Sequence, residues 1–133
     1  MDNETRTAPA QTNSDRNIKN TITPFDNLYY WEEEKQDKFF DALMPSSYKY
    51  NNGSSNRLHT GFIAQDVYDA LVSADLNSDD YAYVCCDINP ITEEKTNWRL
   101  RYEEFVALNT WQIQKLKKRI TELEAKLDAL ENR

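Results

Sequence analysis

Glycine is almost missing from this sequence: Gly53 and Gly61 are the only two in 133 residues. A glycine-rich phosphate loop cannot be built from them. Histidine occurs once, at His59, so a zinc site or a histidine-based triad would lack partners at recognisable spacing. Cysteine occurs twice, at the adjacent positions Cys85 and Cys86. Neighbouring cysteines rarely bridge, and two sulfurs without a second cluster make no metal site, so reduced thiols in a cytosolic protein are expected. Positive charge is in deficit, with 16 Lys and Arg against 23 Asp and Glu and a net charge of -7. That balance leaves no basic face for nucleic acid or for an anionic membrane. No apolar run approaches the ~20 residues of a membrane span, and no signal-peptide pattern precedes the body. No cofactor and no metal is expected.

What the sequence does have is concentrated in its last third. Ile113, Leu116, Ile120, Leu123, Leu127 and Leu130 are spaced 3, 4, 3, 4 and 3, an a/d seam filled throughout by isoleucine or leucine. Arg119 and Lys126 occupy g positions, and Glu124 and Glu131 the e positions five places on. In a parallel assembly of identical chains these charges meet with opposite sign, whereas an antiparallel pair would oppose like charges. Three a/d pairs at ~1.5 Å per residue span about 27 Å, a length at which an isolated helix is marginal. Something before the seam must therefore help hold the oligomer. The competing reading is one amphipathic helix packed within a monomer.

The chain before the seam reads as a small α+β unit. Residues 1–13 are polar without an apolar period and read as a disordered segment or as the end of something larger. In 14–23, Ile18 and Ile22 allow a helical turn capped by Ser14 or Asp15, or else a strand. A helix is expected from Asp26 or Asn27 to about Leu43, ended by Pro45. Its stretch Glu32 to Lys38 is fully polar, so this element is expected to project into water between two apolar ends. Ser47 to Tyr50 and Arg57 to Ile63 read as a hairpin about Gly53. Ala64 to Leu76 reads as a helix, Tyr81 to Ile88 and Asn97 to Tyr102 as strands, and Glu103 onward as the helix that enters the heptads. The expected division is 1–13, a body over 14–102, and a helical stalk over 103–133.

Few residues here announce chemistry. A serine hydroxyl becomes a nucleophile when a base takes its proton, and a lysine can be that base if burial lowers its pKa. Ser14 and Lys19 are such a pair, but such pairs arise by chance in most proteins, and on spacing alone an N-cap and a surface lysine explain them better. His59 in a strand reads as structural, and Asp66 and Asp69 as a solvated helix face.

Four segments in order carry more weight. They are Ser14-Asp15-Arg16-Asn17-Ile18-Lys19, Leu43-Met44-Pro45-Ser46-Ser47-Tyr48-Lys49-Tyr50, His59-Thr60-Gly61-Phe62-Ile63-Ala64-Gln65-Asp66-Val67, and Leu100-Arg101-Tyr102-Glu103-Glu104-Phe105-Val106-Ala107-Leu108 leading into heptads. With a terminal coiled coil, this ordered set resembles the C-terminal intramolecular chaperone of phage tailspikes, tail fibres and neck appendages, the endosialidase type, classed among self-cleaving serine peptidases. The resemblance implies a parallel homotrimer that registers three passenger chains for folding in the host cytoplasm and then cuts itself off. It implies Ser14 as nucleophile, Lys19 as general base, and Asn13–Ser14 as the scissile bond. It also implies an extended protrusion that embraces the passenger, for which the Pro24 to Met44 element is the candidate. Isoleucine at a with leucine at d favours two strands by the seam rule, whereas the resemblance implies three. The alternatives are a non-catalytic trimerisation domain and a receptor-binding tip presenting Tyr29, Tyr30 and Trp31.

Overall fold

The computed structural model describes residues 11–25, 31–53 and 55–133. Among them are three helices, α1 (Glu33–Ala42), α2 (Ala64–Ser73) and α3 (Glu104–Glu131), with four short strands, β1 (Ser46–Tyr48), β2 (His59–Gly61), β3 (Val84–Ile88) and β4 (Lys95–Leu100). The strands form two separate antiparallel pairs, β1 with β2 and β3 with β4. This is the α+β class read from the sequence, with the C-terminal helix in place.

α2 shows how local chemistry sets the body. Val67, Ala70 and Leu71 fall on one face at helical spacing and are buried. The helix ends in a Schellman turn: the Leu76 amide donates to the Leu71 carbonyl and the Asp75 amide to the Val72 carbonyl, both at 3.0 Å. Asp75 supplies the left-handed residue, φ 58°, where glycine is usual. Leu76, just past the turn, is buried in the core.

Where the expected helix is described it is interrupted: Trp31 is helical, Glu32 is not, and α1 follows. Its first residue is Glu33, preceded by Glu32 in the left-handed region without a capping side chain. The expected caps Asp26 and Asn27 lie outside the described residues. Nor does its polar middle project into water. Gln36 is completely buried, Asp37 accepts from Gln112 and Lys115 of α3, and Lys35 pairs with Glu32 and Asp75. Amphipathic spacing places Phe39 and Gln36 on the same inward face, and the charged residues dock laterally on α3. Trp31 is also buried, 8% exposed, stacked on Phe25 at 3.6 Å between ring centroids and edge-on to Trp111. It is therefore not a surface aromatic of a receptor-binding tip. Tyr29 and Tyr30 lie outside the described residues.

The core joins α1, α2, β3 and the first two turns of α3 through Phe39, Leu71, Tyr83, Val84, Phe105 and Leu108. The β3–β4 pair carries an irregularity between Cys85 and Asp87 and is connected through Asn89, whose side chain accepts from the amides of Ile91 and Thr92. α3 then changes role along its length. Phe105, Leu108 and Trp111 are buried in the body, and beyond them the helix carries no buried residue.

Candidate active site

The segment around Ser14 folds into a single 3₁₀ turn, Arg16–Ile18. Two apolar residues four apart are too few to extend it, and Ile18 and Ile22 both stay exposed. Asp15 starts the turn, its carboxylate accepting from the Asn17 amide at 2.9 Å. The Ile18 amide donates to the Asp15 carbonyl and the Lys19 amide to the Arg16 carbonyl. This reversal brings the ends of the hexad together, so that Lys19 Nζ donates to Ser14 Oγ at 2.5 Å. The amides of Asn17, Ile18 and Lys19 are all engaged by the turn, so none of the three is free to bind an oxyanion in this state.

Asn13, Ser14 and Lys19 are exposed. Thr12 reaches Glu103, just before α3, at 3.5 Å, and Thr23, Pro24 and Phe25 line an open groove with Ala107, Thr110, Trp111 and Gln114 of that helix. The dyad segment is thus tethered to the first turns of α3 at both of its ends. The described residues leave the Lys19 amine uncovered.

A second cluster braces the hairpin against the start of α3. The Tyr102 hydroxyl donates to the Phe62 carbonyl and accepts from the Phe62 amide, both at 3.2 Å. Gly61 makes this possible: a Cβ there would collide with the Tyr102 hydroxyl and lie 3.0 Å from its Cζ. The Tyr48 hydroxyl joins the network, and hydrogen bonds with Tyr102 and then Tyr50 raise its pKa above the ordinary tyrosine value. His59 sits beside Tyr48 and Tyr50 in an exposed aromatic group, away from any constellation suited to acid–base work. No local pattern in the sequence pairs Gly61 with Tyr102, 41 residues on. An unusual glycine four residues into a strand-like run was the available signal. Asp66 is half-buried and Asp69 exposed on α2. Cys85 and Cys86 are unpaired thiols, and the described residues contain no group of three His, Cys, Asp or Glu placed to hold a metal.

The remaining candidate feature is the seam. Ile113, Leu116, Ile120, Leu123, Leu127 and Leu130 are all exposed, between 48% and 60%, on one stripe of α3. On the flank of α1, Lys115 is held by Asp37 at 2.6 Å and Glu33 at 3.2 Å. Desolvation works against its charge, yet the hydrogen bonds it donates to Asp37 and Glu33 outweigh it and its pKa is raised.

The structure is thus a short α+β body with an exposed serine–lysine contact before it and a long helix carrying an exposed heptad stripe after it. Residues 14–76, 63 of the 133, match the family described as Chaperone of endosialidase, which is classed among peptidases. The match runs from Ser14 through α2, and it supports an endosialidase-type chaperone domain over that span and a chaperone role with it. β3, β4 and α3 lie beyond the matched residues. No curated protein sequence matches the chain.

Proposed function

We propose that the chain is an intramolecular chaperone that forms a parallel homotrimer, registers three copies of an N-terminal passenger while they fold, and then severs itself from them at Asn13–Ser14. The observation that carries the catalytic part is the contact between Lys19 Nζ and Ser14 Oγ, held by a capped turn. The six exposed apolar residues of the seam support the oligomeric part, since a lone protomer would leave the whole stripe in water.

The chemistry follows from the pair. Once the amine of Lys19 is neutral, it takes the Oγ proton of Ser14. Oγ attacks the Asn13 carbonyl carbon, and a cyclic tetrahedral intermediate forms. The C–N bond then breaks, and the Lys19 ammonium returns its proton to the departing nitrogen, which becomes the α-amine of Ser14. Asn13 is left as an ester on Oγ, and water hydrolyses it to a carboxylate and the free serine. Both side chains are exposed in the protomer, so assembly or the folded passenger must cover them before Lys19 can act as base. That requirement ties cleavage to completed folding. A released chaperone can no longer act as template, which makes passenger assembly kinetically irreversible. The setting is the host cytoplasm during virion assembly.

Exposure of the pair equally suits a trimerisation domain without chemistry, and one experiment separates the two. A precursor with passenger residues upstream should yield two bands on a denaturing gel. Ser14→Ala and Lys19→Ala should each leave one band while the oligomer persists in native electrophoresis. Unchanged processing in either variant would remove that residue from the mechanism.

A further inference from the structure

The flank of α3 beside the three a/d pairs of Ile113 to Leu130 supplies a surface that an oligomer can use outside the seam. With Ile113, Ile120 and Leu127 at a and Leu116, Leu123 and Leu130 at d, Gln112 and Arg119 fall at g and Lys117 at e. Gln112 is not a free flank residue. Its amide donates to Asp37 of α1 at 2.7 Å, so α1 lies along the g side of the helix. Glu33, Asp37 and Asp41 are spaced by four on α1, and they line an open groove together with Gln112, Arg119 and the seam residue Leu116. Leu116 makes the groove continuous with the apolar stripe.

The groove's charges are not balanced evenly. Lys115 answers both Glu33 and Asp37, whereas Asp41 makes no ion pair among the described residues. Lys118 also lines the groove without a carboxylate partner, and Arg119 is held by its own Glu122 at 3.3 Å. Lys117 makes no ion pair among the described residues either, and it is exposed on the opposite, e flank. In a parallel register, the e residue of one chain meets the g residue five places earlier on its neighbour, which sets Lys117 against the neighbour's Gln112 and the carboxylates behind it.

We infer that the groove between α1 and α3 is a docking surface for a second copy of this chain, in which Lys117 of one protomer is received by Asp41 and Asp37 of the next. This rests on the parallel oligomer proposed above and extends it from the stalk to the body. The body thereby contributes a charged clasp at the top of the seam, repeated around the assembly. It also explains why the polar middle of α1 is folded against α3. The contact fixes register as well, because sliding by one heptad would set Lys117 beside Arg119 rather than Gln112.

Charge exchange within one chain tests it, since every interface then carries both changes. The full-length chain, Lys117→Glu, Asp41→Lys and the double variant are diluted and followed by sedimentation velocity, with circular dichroism as a check on folding. Each single variant should raise the dissociation midpoint about tenfold, as expected when several exposed pairs act together. The double variant should return it close to the unaltered chain. An oligomer that tolerates both single changes, or a double variant no better than the singles, overturns the clasp while leaving the oligomer intact. A chain that is monomeric throughout overturns the oligomer itself.

Discussion

Ser14 and Lys19 are five residues apart, and extended chain would hold them well out of reach. Their contact depends on the 3₁₀ turn between them, and the turn depends on Asp15. Asp15 is thus a positioning residue. Asp15→Ala should slow precursor cleavage about tenfold without altering oligomer size, a loss of roughly 1.4 kcal/mol in the reactive geometry, within the range of an N-cap deletion. Asp15→Asn, which caps equally well, should restore the rate; a time course on a denaturing gel reads both. Gln36 presents the opposite case. It is completely buried and its amide meets no hydrogen-bond partner of good geometry among the described residues. Gln36→Met keeps the shape and removes the unsatisfied groups, so thermal denaturation should show a gain of about 1 kcal/mol. A loss of that size would mean the amide has a partner in the assembled protein. Asp15 is readable in the sequence as one of two candidate caps, beside Ser14, whereas Gln36 is not readable there at all. The five-residue offset of Ser14 and Lys19 is common, and Gln36 sits within a run of charges whose inward face becomes visible only once α1 is docked.

At the level of elements, α3 is two helices in one. Its first two turns are a core helix through Phe105, Leu108 and Trp111, and the rest is a bare heptad stripe. Placing Asp at Leu123, mid-seam, should leave the helix and body intact by circular dichroism and convert the oligomer to monomer by light scattering. Retention of the oligomer would mean that the body alone assembles. The heptads were legible because their 3-4 period belongs to the sequence itself. α2 and the hairpin were legible for similar reasons, through apolar spacing and the turn residues about Gly53. α1 was misread because charge along a segment says how many groups are polar, not which ones a neighbouring helix will capture. The docking of Asp37 on Gln112 and Lys115 joins residues 75 and 78 apart in the chain, and no local pattern encodes it.

Across the whole molecule, the two candidate functions share one helix. The dyad segment is tied to the start of α3 through Thr12 and Glu103 and through Phe25 against Trp111, while the seam occupies its far part. In the proposed assembly, joining the seam also brings neighbouring protomers to the part of the molecule that carries Ser14. Cleavage should accordingly follow assembly, and the Leu123→Asp precursor should remain uncut. The most direct measurement is intact mass combined with light scattering on a precursor extended upstream of Asn13, unaltered and as Ser14→Ala. The expected result is a C-terminal product whose mass begins at Ser14 from the unaltered precursor, and a single uncut chain of the same trimeric state from the variant. An uncut precursor that is nonetheless a folded trimer, or a product that begins at any other residue, would contradict it.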